Sequence, residues 1–184
     1  SRFGGMPLPE EAGPIWDDIW HLEAHNSTAI EGNTLVLREV KALLDDGKAV
    51  GAKPLKDYLE VQGYGDAARW VYTQATTVDG YAGEGLITVT EVRAIHEQAL
   101  RQVWEIAPHP DARPDEAPGS FRRHDIHPFG GGMKPPSWVD VPAQISTWVD
   151  EVNTVASRLS SLSTNAIEPK DVPLQLAEIH CRFE

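Results

Sequence analysis

The segment "TVTEVRAIHEQALRQVW" constrains this chain more than any other. Thr88 and Glu91 form a capping box, and Val92, Ile95, Ala99 and Val103 then recur at helical spacing along one stripe. Such a segment forms a helix with one apolar face, and that face needs a partner. The same pattern recurs elsewhere. After Pro14, residues Ile15, Trp16, Ile19, Trp20 and Leu22 form an apolar face opposite Asp17, Asp18 and Glu23, and Gly32 and Asn33 supply the stop. In "LREVKALLDDGKAV", Leu37, Val40, Leu43 and Leu44 share a face and Gly47 ends the run.

A longer helix is expected over residues 55–76, with Leu55, Tyr58, Leu59, Ala67, Trp70 and Val71 inward and with Gly63 and Gly65 weakening its middle. Val141, Ile145, Trp148, Val152 and Val155 restore the helical period, and a last helix begins near Asp171 with Pro173 in its first turn. Residues 105–120 read as loop. Residues 121–137, alternating around "FRRHDIHPF" and broken by "GGGMKPP", suit a short exposed hairpin. The fold class is therefore all-α, a helical bundle with a short β-hairpin flap.

Composition narrows the function classes. A net charge of −12 with no dense basic cluster argues against binding to the nucleic-acid backbone. The single cysteine, Cys181, excludes an internal disulfide framework and fits a reducing compartment. No apolar run reaches membrane-spanning length and no signal-peptide pattern opens the chain, so a cytoplasmic protein without membrane contact is expected.

Histidines invite a metal reading that the spacing does not sustain. His21 and His25 lie one turn apart, but Leu22 stands where the zinc-protease pattern needs Glu, so a partly exposed helix face is expected. His124 and His127 lack paired cysteines or a carboxylate set, and His96 and His180 read as core or boundary residues with one hydrogen bond each. The glycines at 130–132 neither follow a buried strand nor open a helix, so no phosphate cradle is expected there. No metal site is assigned.

Four stretches, in order, resemble the Fic domain, whose members transfer AMP from ATP to protein hydroxyl groups. "STAIEGN" matches the [S/T]-x-x-x-E-[G/N] inhibitory motif through Ser27, Glu31 and Gly32. "LITVTEVRAIHEQAL" is similar to the helix that opens the Fic core. "PGSFRRHDI", followed by Pro135, Pro136 and "VDVPAQISTWVDEV", resembles the core's entry, its flap and the next helix. "DVPLQLAEIHCRFE" is similar to the helix that leads to the catalytic loop. The family signature H-P-F-x-[D/E]-G-N-[G/K]-R is expected directly after Glu184. "HPFGGGMK" at 127–134 shares its first letters but lacks the acidic residue, the Asn and the Arg. A degenerate catalytic loop there is the lesser alternative to a flap.

The resemblance implies a division into residues 1–50, an N-terminal arm and inhibitory helix region, and residues 51–184, a Fic core without its C-terminal catalytic loop and helices. It implies ATP and Mg²⁺ as cofactors. It implies a target protein with a modifiable Ser, Thr or Tyr hydroxyl as partner, and leaves a homodimer open. No catalytic residue falls within the chain, which is expected to be inactive by itself. Ser27, Glu31 and Gly32 would be regulatory, with Ser27 bracing Glu31 or the helix end. Ile126, His127, Pro128 and Phe129 would form the target-binding flap. At the "E-V-x-N" position of the family this chain has Gly63, so the inhibitory helix is expected to be held differently. A non-catalytic Fic-like module that holds a peptide on its flap, or a member that transfers another nucleotide, remain alternatives.

Overall fold

The computed structural model describes residues 11–76, 85–127, 134–161 and 171–183. Six α-helices occupy them: α1 Gly13–Ile30, α2 Leu37–Asp46, α3 Leu55–Thr76, α4 Val89–Ile106, α5 Val141–Ser161 and α6 Asp171–Phe183. No strand occurs among the described residues. The all-α class holds, while the centre of the expected hairpin lies outside the described residues and its flanks carry no strand pairing.

The described residues divide into two compact units. The first holds α1, α2, α3, α4 from Arg93 onward and the following segment to Ser120; the second holds the first turn of α4 and everything from Phe121.

In the first unit, α1 packs on both α2 and α3. Ala24, Leu35, Val40, Leu43, Tyr58 and Val61 form the core, with Leu44 and Tyr64 packed against it. The buried stripe of α1 is His21, Ala24 and Thr28, whereas Leu22 is 46% exposed and Ile15 is exposed as well. The apolar face expected from sequence is therefore rotated, because α1 is wedged between two helices and small side chains sit where the backbones approach. The partly exposed face expected for His21 is corrected too. The residue is 5% exposed and its Nε2 bonds Asp45 Oδ1 of α2 at 2.6 Å. Beside it, Lys41 pairs with Asp18 at 2.6 Å, and the ammonium holds the Asp18 carboxyl below its ordinary range.

Helix α3 is unbroken through both of its glycines. An added Cβ at Gly63 would lie 2.1 Å from the Ala99 carbonyl oxygen of α4, and one at Gly65 would lie 2.8 Å from Leu44 Cδ2. These glycines are contact points rather than weak links, since the missing side chain lets helices approach. Leu55, expected inward, is 60% exposed; it is the first residue of the helix, ahead of the turn that buries Asp57 and Tyr58.

The expected capping box of α4 is present. Glu91 accepts from the Thr88 amide at 2.7 Å and hydroxyl at 2.8 Å, and Thr88 Oγ accepts from the Glu91 amide at 3.2 Å. Further along, Arg93 Nε donates to the Gly119 carbonyl at 2.6 Å while the Gly119 amide donates to His96 Nδ1 at 2.9 Å. His96 has the one bond expected of it, but it is exposed rather than a core or boundary residue, and His180 is exposed too. Desolvation of the His96 ring lowers its pKa although the residue as a whole stays exposed.

In the second unit α5 and α6 run antiparallel. Trp148 donates from its indole to the Ile179 carbonyl at 3.0 Å and packs, tilted, on Phe183 at a centroid distance of 4.8 Å, while Arg158 reaches Gln175 at 2.6 Å. The Asn153 side chain accepts from the Leu86 and Ile87 amides and donates to the Ile87 carbonyl, pinning the chain ahead of α4. No helix of the described residues is long and apolar enough to cross a membrane.

Candidate regulatory site at the end of the first helix

Helix α1 stops in a Schellman turn. The Asn33 amide bonds the Thr28 carbonyl and the Gly32 amide bonds the Ala29 carbonyl, both at 3.0 Å, with Gly32 at φ 91°. Only a residue without Cβ adopts that conformation easily, so the glycine of the motif has a backbone role. Glu31 is the cap residue before it and is exposed. Its carboxylate stands at the negative end of the helix, and the last turn contains no basic residue. A cation brought from elsewhere would be favoured there on both counts.

The turn is held from below by Asn33, which is 8% exposed. Its amide nitrogen donates to the Asp57 carbonyl at 2.8 Å and to Glu60 Oε2 at 3.0 Å, and its Oδ1 accepts from the Leu35 amide at 3.0 Å. Asp57 Oδ2 accepts from both the Thr34 amide and the Thr34 hydroxyl. The first turn of α3 is thereby tied to the segment after Glu31.

Ser27 donates to Tyr64 Oη at 3.1 Å, which braces the helix end against α3 rather than Glu31 itself. Tyr64 donates onward to Glu23 Oε1 at 3.2 Å, and Tyr72 donates to Glu23 Oε2 at 3.0 Å. Burial and the adjacent Glu23 charge push the Tyr72 phenol up to about 12; burial likewise raises Tyr64. The Tyr72 ring also lies edge-on to Trp16 at 5.3 Å and tilted to Trp20 at 6.1 Å.

Ser27, Glu31 and Gly32 are thus together at one helix end. Of the expected flap residues, Ile126 is half-buried and His127 exposed, in the second unit; Pro128 and Phe129 lie outside the described residues. The segments on either side of the expected flap are tied by side chains. Asp125 Oδ1 accepts from the Trp138 amide at 2.9 Å and the Ser137 hydroxyl at 3.3 Å, and Arg122 donates to the His124 and Pro136 carbonyls. Among the described residues no group of His, Cys, Asp and Glu is arranged to hold a metal ion.

Sequence reading missed Glu23, Asn33, Tyr64 and Tyr72 as parts of this site. A signal existed: Glu23 and Ser27 of α1 and its cap residue Glu31 are successive i, i+4 positions.

No family model matches the chain. Among curated proteins it is 27% identical over 130 residues to protein adenylyltransferase Fic of Drosophila willistoni, covering 71% of this chain and 22% of that protein. It is 30% identical over 112 residues to the protein of the same name from Aedes aegypti, covering 61% and 19%, and 29% over 135 residues to that of Culex quinquefasciatus, covering 73% and 24%. The chain therefore spans about a fifth to a quarter of the length of these relatives. Among solved structures, a Fic-domain-containing signalling protein from Bacteroides thetaiotaomicron matches with a TM-score of 0.63 at 22% identity, over 86% of this chain and 55% of that one. A fragment of Fic-1 from C. elegans matches with a TM-score of 0.57 at 21% identity, over 83% and 39%. A Glu-to-Gly variant of the same fragment matches with 0.63 at 20%, over 98% and 46%. These solved structures share the fold, the sequence relatives share the Fic name, and the chain is similar to Fic-domain proteins in both respects.

Proposed function

We propose that this chain is the regulatory and target-binding portion of a protein adenylyltransferase, an enzyme that moves AMP from ATP to a Ser, Thr or Tyr hydroxyl of a target protein. Residues 1–50 would carry the inhibitory helix and residues 51–184 the Fic core. The described residues contribute control of the reaction rather than its chemical step. The observation that carries the reading is Glu31, set by a Schellman turn at the exposed, negative end of α1 inside the motif Ser27-x-x-x-Glu31-Gly32. A carboxylate placed there suits a bidentate pair with the guanidinium of a catalytic loop. That pair would occupy the place of a nucleotide phosphate and hold transfer in check. Names of the sequence relatives, all protein adenylyltransferase Fic, support the reaction class.

Ile126 and His127, with Pro128 and Phe129, are the proposed flap against which an extended target segment lies. Support comes from the way Asp125 and Arg122 join the two flanks, residues 122–125 and 136–138, by side-chain bonds. The test of the inhibitory role uses a form of the protein that carries a catalytic loop after Glu184. Glu31→Gly is expected to raise auto-modification with labelled ATP; wild-type labelling in the variant, with ATP binding intact, refutes the role.

A further inference from the structure

We propose that Glu23, Tyr64 and Tyr72 are positioning residues for Glu31: a clamp of two phenols on one carboxylate that fixes the last turns of α1 against α3. The inference rests on the autoinhibitory reading above and names the device that regulates that same site.

The clamp has a defined direction. Ser27 donates to Tyr64, Tyr64 donates to one oxygen of Glu23, and Tyr72 donates to the other, at 3.1, 3.2 and 3.0 Å. Tyr64 is both acceptor and donor, so its single proton must point at Glu23, and the whole chain requires an ionised Glu23 and neutral phenols. Each bond therefore supports the next, and loss of the Glu23 charge weakens them together.

Apolar packing does little of this holding. The buried residues of the last half of α1 are Ala24 and Thr28, both small, and the Thr28 hydroxyl turns back to the Ala24 carbonyl at 2.7 Å. Ile30, the one large apolar side chain in the last turn, is 83% exposed. At the other end of α1 the situation is reversed, with Trp16 and Trp20 packed around the Tyr72 ring. Thus the start of the helix is anchored by aromatic contact and its end by hydrogen bonds. Glu23, Ser27 and Glu31 share one row of the helix, so rotation of the row about the helix axis, which the clamp prevents, would carry Glu31 with it.

Three variants test this while keeping the rings or the shape: Glu23→Gln, Tyr64→Phe and Tyr72→Phe, each alone and combined with Glu31→Gly, in a form of the protein that carries a catalytic loop after Glu184. Amide hydrogen exchange over residues 27–33 is expected to quicken about tenfold in Glu23→Gln and Tyr64→Phe, the scale of one lost bond to a charged acceptor. Labelling from ATP is expected to rise toward the level of Glu31→Gly, and to rise no further when the clamp variants are added to Glu31→Gly. A spectroscopic signature accompanies this: the tyrosinate absorbance of Tyr72 should appear at lower pH in Glu23→Gln, once the neighbouring charge is gone. Unchanged exchange in all three variants overturns the clamp. Faster exchange with wild-type labelling, while Glu31→Gly alone raises labelling, overturns its link to Glu31, as does an equal gain of labelling in the presence and absence of Glu31. If Glu31→Gly itself changes nothing, the autoinhibitory reading has failed and the positioning role fails with it, whereas the exchange data still report whether the three residues hold the helix.

Discussion

Replacing Gly63 by Ala puts a methyl group 2.1 Å from the carbonyl oxygen and 2.9 Å from the carbonyl carbon of Ala99. The obstacle is helix backbone, which has no rotamer to change, so α3 and α4 must separate by more than an ångström at their closest point. Overpacking of this kind costs about 1–3 kcal/mol, and an immovable neighbour places the substitution at the upper end. Against that, alanine is favoured over glycine inside a helix by about 1 kcal/mol. The net loss is about 2 kcal/mol, which corresponds to a fall in Tm of about 4–8 °C for a chain of this size. Gly65→Ala is the internal control, because its new Cβ would meet the Leu44 Cδ2 methyl at 2.8 Å, the far end of a flexible side chain. There the gain in helix propensity is expected to offset the crowding, leaving stability within about 0.5 kcal/mol of the parent. Urea unfolding followed by far-UV circular dichroism measures both, with the midpoint shifting and the slope unchanged. A Gly63→Ala chain as stable as the parent would refute the claim that this glycine exists for close approach.

Asn33→Ala removes both donors from the Asp57 carbonyl and Glu60 and the acceptor of the Leu35 amide, all near a buried side chain; a loss of about 2 kcal/mol is expected by thermal unfolding. A smaller loss than that of an exposed Asn26→Ala control would contradict the bracing role. Tyr72, with a folded pKa of about 12 against an ordinary 10, contributes stability that is complete below pH 10 and disappears as pH rises through 12. Unfolding midpoints measured across that window should decline, and the decline should be shallower in Tyr72→Phe.

Most of the helical architecture is legible in the sequence, for a physical reason. Helices α1, α2 and α4 carry their own punctuation: the Thr88 box, the left-handed glycines at 32 and 47, and Pro14 in the first turn of α1. Local chemistry of this kind needs no knowledge of the rest of the fold. Which face turns inward is another matter. Ile15, Leu22 and Leu55 look like core by period and are exposed, while His21, Asn33 and Asp57 look like surface and are buried. Burial is decided by the neighbours a helix acquires, and His21 becomes acceptable inside only because Asp45 of α2 meets it. The candidate site divides along the same line. The motif around Glu31 is a local pattern and can be read directly, but the acid and two phenols of its support come from α1 and from positions eight apart on α3. The i, i+4 spacing links Glu23 to Ser27 and Glu31, but no sequence pattern joins it to the two tyrosines.

The Schellman turn after Glu31 also makes the helix a ruler with fixed graduations. One residue added or removed between Ser27 and Gly32 would turn the terminal carboxylate by about 100° and shift it by about 1.5 Å. The stop cannot slide to compensate, since Gly32 alone suits the left-handed position and Asn33 is bonded on every polar edge. Length in this stretch is therefore quantised. Substitutions along it can tune how firmly the helix end is held, whereas a single insertion or deletion would misdirect Glu31 outright.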